Sequence, residues 1–229
     1  MKIKGLQKTT LLDFPDRVAC TVFTGGCNFR CPFCHNASLV LAPNTVTDIS
    51  EESFFSFLNK RKGILDGVCI TGGEPLMQKD IIPFIVKIRE LGFAVKLDTN
   101  GSFPNILKDI VSRNLIDYIA MDIKNCEHKY AQTAGIDRDC SPMLESIDFI
   151  MSCGVDYEFR TTVVKELHTV QDIEDIAIRI SGAKRYFLQS FKDSGDLICP
   201  EYSAHSEETM HQMLDKIRPH VEVCALRGI

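Results

Sequence analysis

The hydrophobic pattern alternates between two kinds of run. Short, nearly continuous apolar stretches, the mark of strands buried on both faces, cover residues 17–24, 67–71, 93–98, 116–121, 156–164 and 185–189. Between them lie longer runs whose apolar residues recur three and four apart. This spacing predicts helices over 50–62, 80–91, 104–113, 141–153, 169–181 and 206–218. Ser50 is placed to cap its helix, and Gly92, Gly154 and Gly182 stop three others. Residues 221–225 are a candidate last strand.

Six strand–helix units in a row predict an α/β fold, a parallel sheet with helices outside it. A complete barrel of this kind takes eight units and typically about 250 residues. With six units in 229 residues, the expectation is a partial (β/α)6 barrel, open rather than closed. The chain reads as one domain over 1–229. Residues 1–16 form a strand or hairpin extension, 17–190 the β/α core, and 191–229 a closing helix and strand. No internal repeat, low-complexity tract or linker divides it.

The polar motifs all fall at the C-terminal end of an expected strand or in the loop just after it. That rim is where α/β proteins build their sites. After the first strand come Cys27, Cys31 and Cys34, spaced C-x3-C-x2-C. Three thiolates on one loop can hold three irons of a 4Fe–4S cluster and leave the fourth iron open for chemistry. Two other readings stand beside it. A structural zinc site wants four N/S ligands in two pairs, and His35, directly after Cys34, is an awkward fourth. A redox pair at Cys31 and Cys34 leaves Cys27 unused.

The second strand ends in Gly72, Gly73, Glu74 and Pro75. The glycines permit a tight turn and close approach of a ligand, and Glu74 offers a carboxylate to an ammonium group; a plain turn is the alternative. Asp98 and Asp122 end the next two strands, where a carboxylate can bind a cation or a hydroxyl, or cap the following helix. Lys124 lies two residues beyond Asp122 and projects to the same side, suited to a ligand carboxylate or to solvent. Arg160 sits inside an apolar strand and must face a ligand or an internal ion pair.

Charge and composition narrow the classes. A net charge of −5 argues against non-specific binding to nucleic acid or anionic membrane. No apolar run approaches the ~20 residues of a membrane-spanning helix, and the first residues lack the apolar core of a secretory signal, so a cytoplasmic protein is expected. Cys20, Cys69, Cys126, Cys140, Cys153, Cys199 and Cys224 are scattered and read as free, mostly buried thiols of a reducing compartment, with none assigned to a metal. His128, His168, His205, His211 and His220 are dispersed and read as surface residues. No nucleophile elbow, phosphate-binding loop or zinc-protease motif is present, which argues against a hydrolase.

Taken together, these residues resemble the radical S-adenosylmethionine (SAM) superfamily over nearly the whole chain. Cys27, Cys31 and Cys34, with Phe33 as the aromatic, match its C-x3-C-x-(aromatic)-C signature, and residues 72–75 match its G-G-E-P motif. Within it the chain is similar to glycyl-radical-enzyme activases, through C-H-N at 34–36, D-T-N-G at 98–101 and D-I-K at 122–124. Most similar is the group described as anaerobic ribonucleoside-triphosphate reductase activating proteins. Its opening resembles residues 5–8 and 12–15, its L-Q-x-F strand 188–191, and its terminal L-R-G 226–228.

The resemblance implies one 4Fe–4S cluster on Cys27, Cys31 and Cys34, with SAM on the open iron. The Glu74 region, with Gly72 and Gly73, would receive the methionine amino group. Asp98 and Asp122 would bind a monovalent cation or the cofactor, beside Thr99. Lys124 and Arg160 would reach the methionine carboxylate or ribose, and Phe33 and His35 would lie along the adenosine. Gln189 stands where pyruvate formate-lyase activases use His. Residues 13–17 resemble a D-G-P-G-x-R segment near the target glycine, with Phe14 and Asp16 replacing its two glycines. Implied partners are a glycyl-radical enzyme as protein substrate and flavodoxin or ferredoxin as electron donor. The competing functions are a pyruvate formate-lyase-type activase, a small-molecule enzyme of the 7-carboxy-7-deazaguanine synthase type, and an iron–sulfur electron carrier.

Overall fold

The computed structural model describes residues 1–229. One sheet carries eight strands in sequence order: β1 (Ile3–Thr10), β2 (Ala19–Thr24), β3 (Gly67–Gly72), β4 (Ala94–Thr99), β5 (Tyr118–Asp122), β6 (Asp156–Val163), β7 (Ala183–Ser190) and β8 (Val221–Arg227). β1 runs antiparallel to β2, and every later pair is parallel. The sheet ends at β1 and β8, so the barrel stays open along that side. The helices are α1 (Ala37–Leu41), α2 (Glu51–Asn59), α3 (Ile81–Glu90), α4 (Pro104–Ser112), α5 (Glu127–Ala134), α6 (Ser141–Ser152), α7 (Val170–Arg179) and α8 (Glu207–Ile217). Each of β2 to β7 therefore heads a β/α unit, and the expected α/β partial barrel is the observed architecture.

Local chemistry explains the elements. β3 is buried at its first four positions, which is why it reads as an unbroken apolar run. At α2, Ser50 Oγ accepts from the Ser53 N–H at 3.1 Å, and Phe54 and Leu58, one turn apart, are fully buried. Each such side chain contributes about 1.5–3 kcal/mol. Phe54 stacks on Phe84 of α3 with ring centroids 5.4 Å apart. At α7, Thr169 and Asp172 cap each other reciprocally.

Two helices carry no clear hydrophobic period. α1 is five residues long, too short for a period to register. α5, Glu-His-Lys-Tyr-Ala-Gln-Thr-Ala, is largely polar and buries only Tyr130, Thr133 and Ala134.

The inner face of the barrel is charged rather than apolar. Lys96 of β4 is buried and pairs with both Asp98 and the Cys69 sulfur. Glu158 of β6 is buried too, and accepts from Arg227 at 3.0 and 2.9 Å and from Tyr118 Oη at 3.2 Å. Residues 13–17 pack at the N-terminal ends of the strands, away from the motif-bearing rim. Phe14 lies against Tyr118 and Gly67, the first residues of β5 and β3.

Candidate cofactor site

The loop joining β2 to α1 holds Cys27, Cys31 and Cys34 and is tied down at several points. Gly26 adopts φ of +88°. Its N–H donates to Leu39 O and its carbonyl accepts from Glu74 N–H, both at 2.8 Å. The Arg30 N–H donates to Ala134 O at 2.9 Å, and the Cys31 thiol points at the same carbonyl at 3.7 Å, so the end of α5 underlies the cysteine loop. Gln78 Nε2 donates to Gly25 O at 2.9 Å, Asn36 Nδ2 to Gly72 O at 3.2 Å, and Asn100 Nδ2 to Asn28 Oδ1 at 3.0 Å.

The G-G-E-P turn presses directly on this loop. A Cβ at Gly73 would lie 1.9 Å from Gly26 O, so only glycine lets the two loops touch. At Gly72 the φ of +118° adds a conformation that other residues rarely adopt.

A cavity of roughly 250 Å³ opens at the C-terminal ends of the strands. The three cysteines line it together with Phe33, His35, Gly72, Gly73, Asp98, Thr99, Asp122, Lys124, Arg160 and Gln189. Sequence reasoning brings all of these to one rim, and the structure gathers them around one space. It adds Asn36, Thr71, Asn100 and Thr162. Thr162 carried a signal, since it follows Arg160 by two on the same strand face.

Glu74 is the exception. It is fully buried and does not line the cavity. Its carboxylate accepts from Asn100 N–H at 2.7 Å, Thr99 Oγ1 at 2.8 Å and Leu76 N–H at 3.1 Å. The expected acceptor for a ligand ammonium is thus a clamp between the β3 and β4 loops. Burial, only partly opposed by these donors, pushes its carboxyl up to about 7.

His168 is a second correction. It is buried, not on the surface: Nδ1 faces the Val164 N–H at 3.1 Å and Nε2 faces Lys124 O at 2.8 Å. The chain folds back after β6, and the ring satisfies two backbone groups while its edge meets Phe33.

Charge concentrates along one side of the cavity. Arg160 Nε donates to Asp122 Oδ1 at 3.0 Å, and both its terminal nitrogens donate to Asp98 Oδ2 at 3.1 Å. Lys124 Nζ adds a bond to Asp122 Oδ2 at 3.2 Å, and Lys96 pairs with Asp98. Burial alone would raise both carboxyls, but Arg160 and then the lysines outweigh it and hold them low. Burial likewise opposes the Lys124 ammonium, and Asp122 more than restores it. Glu158 is matched by Arg227, so Lys96, Lys124 and Arg160 outnumber Asp98 and Asp122. The surplus positive charge suits an anionic ligand group. Lys96, which sequence reasoning missed, has the period-two spacing to Asp98 that marks a shared inward face.

The thiols fit an iron cluster. Burial pushes Cys27 up to about 11 and Cys31 up to about 12, so binding iron must displace their protons, which Lys124 favours through its charge. The one trio of metal-ligating atoms within 4.8 Å of one another lies elsewhere in the chain. The three sulfurs of the loop do not all lie within that distance of one another, as one shared zinc would require.

The chain is 30% identical to a Methanocaldococcus jannaschii protein described as a glycyl-radical enzyme activating enzyme, over 99% of this chain and 96% of that one. It is 28% identical to the pyruvate formate-lyase-activating enzyme of Clostridium pasteurianum, over 55% of this chain and 53% of that one. Among solved structures, a domain of pyruvate-formate lyase-activating enzyme from Bacteroides vulgatus has a TM-score of 0.58 at 16% identity, covering 71% of this chain and 99% of that one. Streptococcus suis SuiB has a TM-score of 0.72 at 13% identity, covering 91% and 48%. At such identities these two speak for the fold alone. The Radical SAM superfamily profile matches residues 21–184, from β2 into β7. That stretch contains the cysteine loop, the glycine turn and the charged rim, and this chain belongs to the Radical SAM superfamily.

Proposed function

We propose that this enzyme generates a glycyl radical on a partner protein, and that the partner is an anaerobic ribonucleoside-triphosphate reductase. The observation that carries the reading is the meeting of Cys27, Cys31 and Cys34 with the Lys124–Arg160 charge surplus around one cavity on an open barrel. When bound, a 4Fe–4S cluster supplies the electron that splits SAM into methionine and a 5′-deoxyadenosyl radical, which takes the hydrogen atom from a glycine Cα. The chain's residues bind and orient. Cys27, Cys31 and Cys34 would hold the cluster and leave one iron free. Lys124 and Arg160 would bind the methionine carboxylate or ribose, and the Gly72 and Gly73 backbone would receive the methionine end. Phe33 and His35 would flank the adenosine; His35 itself packs on Phe191 with ring centroids 5.5 Å apart. Asp98, Asp122 and Thr99 line the same space, and Gln189 closes its β7 side.

Both aspartates already accept from Arg160 and lysines, so the geometry lends no support to a bound monovalent cation. The sheet ends at β1 and β8, and an open side suits a protein loop as substrate; flavodoxin or ferredoxin fits as electron donor by family analogy.

Coverage of the chain supports this reading over the small-molecule one. The 7-carboxy-7-deazaguanine synthase of Thermococcus kodakarensis matches 61% of the chain, against 99% for the activating enzyme above. The test is anaerobic reconstitution with iron and sulfide, then dithionite and SAM. Formation of 5′-deoxyadenosine and methionine, and a glycyl-radical doublet by electron paramagnetic resonance on mixing with the reductase, is the expected result. No 5′-deoxyadenosine points to an electron carrier. Turnover without a radical on any glycyl-radical enzyme of the same genome overturns the activase reading.

A further inference from the structure

Outside the cofactor site, one group of side chains has the composition and spacing of a metal centre. Cys126, His128 and Asp175 bring a sulfur, an imidazole nitrogen and a carboxylate oxygen within 4.8 Å of one another. Cys126 caps the N-terminus of α5, His128 lies in its first turn, and Asp175 comes from α7. They border a cavity of roughly 220 Å³ that Leu144 and Ile147 of α6 also line.

We propose that Cys126, His128 and Asp175 bind one Zn²⁺ that clips α5 to α7. A tetrahedral ion with Zn–S of about 2.3 Å and Zn–N of about 2.0 Å separates its sulfur and nitrogen ligands by about 3.5 Å. Cys126 Sγ and His128 Nδ1 are 3.4 Å apart. The other ring nitrogen, Nε2, lies 3.7 Å from the same sulfur and 3.8 Å from Asp172 Oδ1, while the Cys126 thiol donates to Asp172 Oδ1 at 3.4 Å, a proton that metal binding displaces. Asp172 is itself fixed, because its Oδ2 accepts from Lys129 at 2.6 Å and from Thr169 N–H at 2.7 Å.

The charges balance as well. A thiolate and the Asp175 carboxylate neutralise a divalent ion, while Lys129 neutralises Asp172. A thiolate with an imidazole selects a borderline metal over Mg²⁺ or Ca²⁺, and the fourth position falls to water. The clip acts on the helix whose last carbonyl, Ala134 O, holds Arg30 and Cys31 of the cluster loop. Zinc here steadies the support of that loop from the opposite end of α5.

The test uses holoenzyme with its full complement of iron, so that the cluster cysteines are not available to zinc. After equilibration with Zn²⁺ and desalting, the wild-type holoenzyme is expected to retain about one zinc per chain. Zinc-edge X-ray absorption should show a single sulfur ligand with nitrogen and oxygen. Excess zinc should raise the melting temperature by roughly 5 °C or more at about a hundredfold over Kd. His128→Ala, at an exposed position, and Cys126→Ser should lose zinc and the thermal shift with iron content unchanged. Asp175→Asn should do the same. Zinc retained by His128→Ala, an absorption spectrum with three sulfurs, or wild-type holoenzyme that keeps no zinc and shows no shift overturns the proposal. None of these readouts depends on which glycyl-radical enzyme the protein serves.

Discussion

Arg160→Met tests the charged rim most directly. The substitution keeps much of the side-chain volume and removes the one cation shared by Asp98 and Asp122. Both carboxylates are largely enclosed, with side chains 12% and 32% exposed, and each retains a single lysine. Removing one partner of a buried ion pair costs about 3–5 kcal/mol, because the remaining charge has lost its compensation. With Lys96 and Lys124 still in place, the lower end is expected, about 3 kcal/mol. That is a large part of the roughly 5–15 kcal/mol that holds a typical domain folded.

The pH dependence carries a second, independent signature. In the wild type both aspartates have folded pKa values below the unfolded ~3.9, so their contribution is complete above that pH and is lost only as pH falls through the lower folded values. Without Arg160 a single lysine is left to oppose burial at each carboxyl, so both folded pKa values rise from their low wild-type positions. A raised folded pKa makes the deficit greatest at neutral pH and smaller toward acid. The assay is anaerobic urea unfolding of both holoproteins at pH 7.5 and 5.5, with Asp122→Asn and the double variant completing a cycle. Coupling of about 1–3 kcal/mol between positions 122 and 160 is expected. A loss below about 1 kcal/mol at neutral pH, or no coupling between positions 122 and 160, would refute the reasoning.

Three further outcomes follow from the same geometry. Gly73→Ala places a methyl group inside contact distance of Gly26 O, and should cost at least about 1–3 kcal/mol and lower iron retained per chain after reconstitution, read by iron and sulfide assay. Glu74, pushed up to about 7 against an unfolded ~4.3, stabilises fully below the unfolded value and loses that contribution as pH rises through about 7. Glu74→Gln, close in shape to the protonated carboxyl, should flatten urea midpoints between pH 5.5 and 8, differing least from wild type at the acid end. His168→Ala leaves Val164 N–H and Lys124 O without their ring partners and should cost about 2–4 kcal/mol, with a weakened SAM affinity by equilibrium dialysis that His168→Gln partly restores.

The β/α core of the fold was legible in the order of residues. A strand buried on both faces and a helix with one apolar face each write a period into a dozen residues or fewer, so β2 to β7 and the helices α2, α3, α4, α6, α7 and α8 could be read locally. α5 escaped because its burial is confined to three residues near its C-terminal end, and α1 because five residues hold little more than one turn.

The cysteine triad, the glycine turn and the rim carboxylates were legible for a related reason. Each is a short motif at a strand end, and parallel strands bring their ends to the same rim. Tertiary structure alone decided which way the side chains at that rim turn and what they meet. Glu74 is turned inward, where Thr99 Oγ1 and Asn100 N–H of the neighbouring loop and Leu76 N–H of its own turn donate to its carboxylate. His168 is buried because two backbone groups far apart in sequence lacked partners. Lys96 joins a charged network across β3, β4 and β6. Cys126, His128 and Asp175 become neighbours only when α7 packs beside α5. Period and spacing are properties of adjacent residues, whereas desolvation and charge pairing belong to groups that folding brings together from distant parts of the chain.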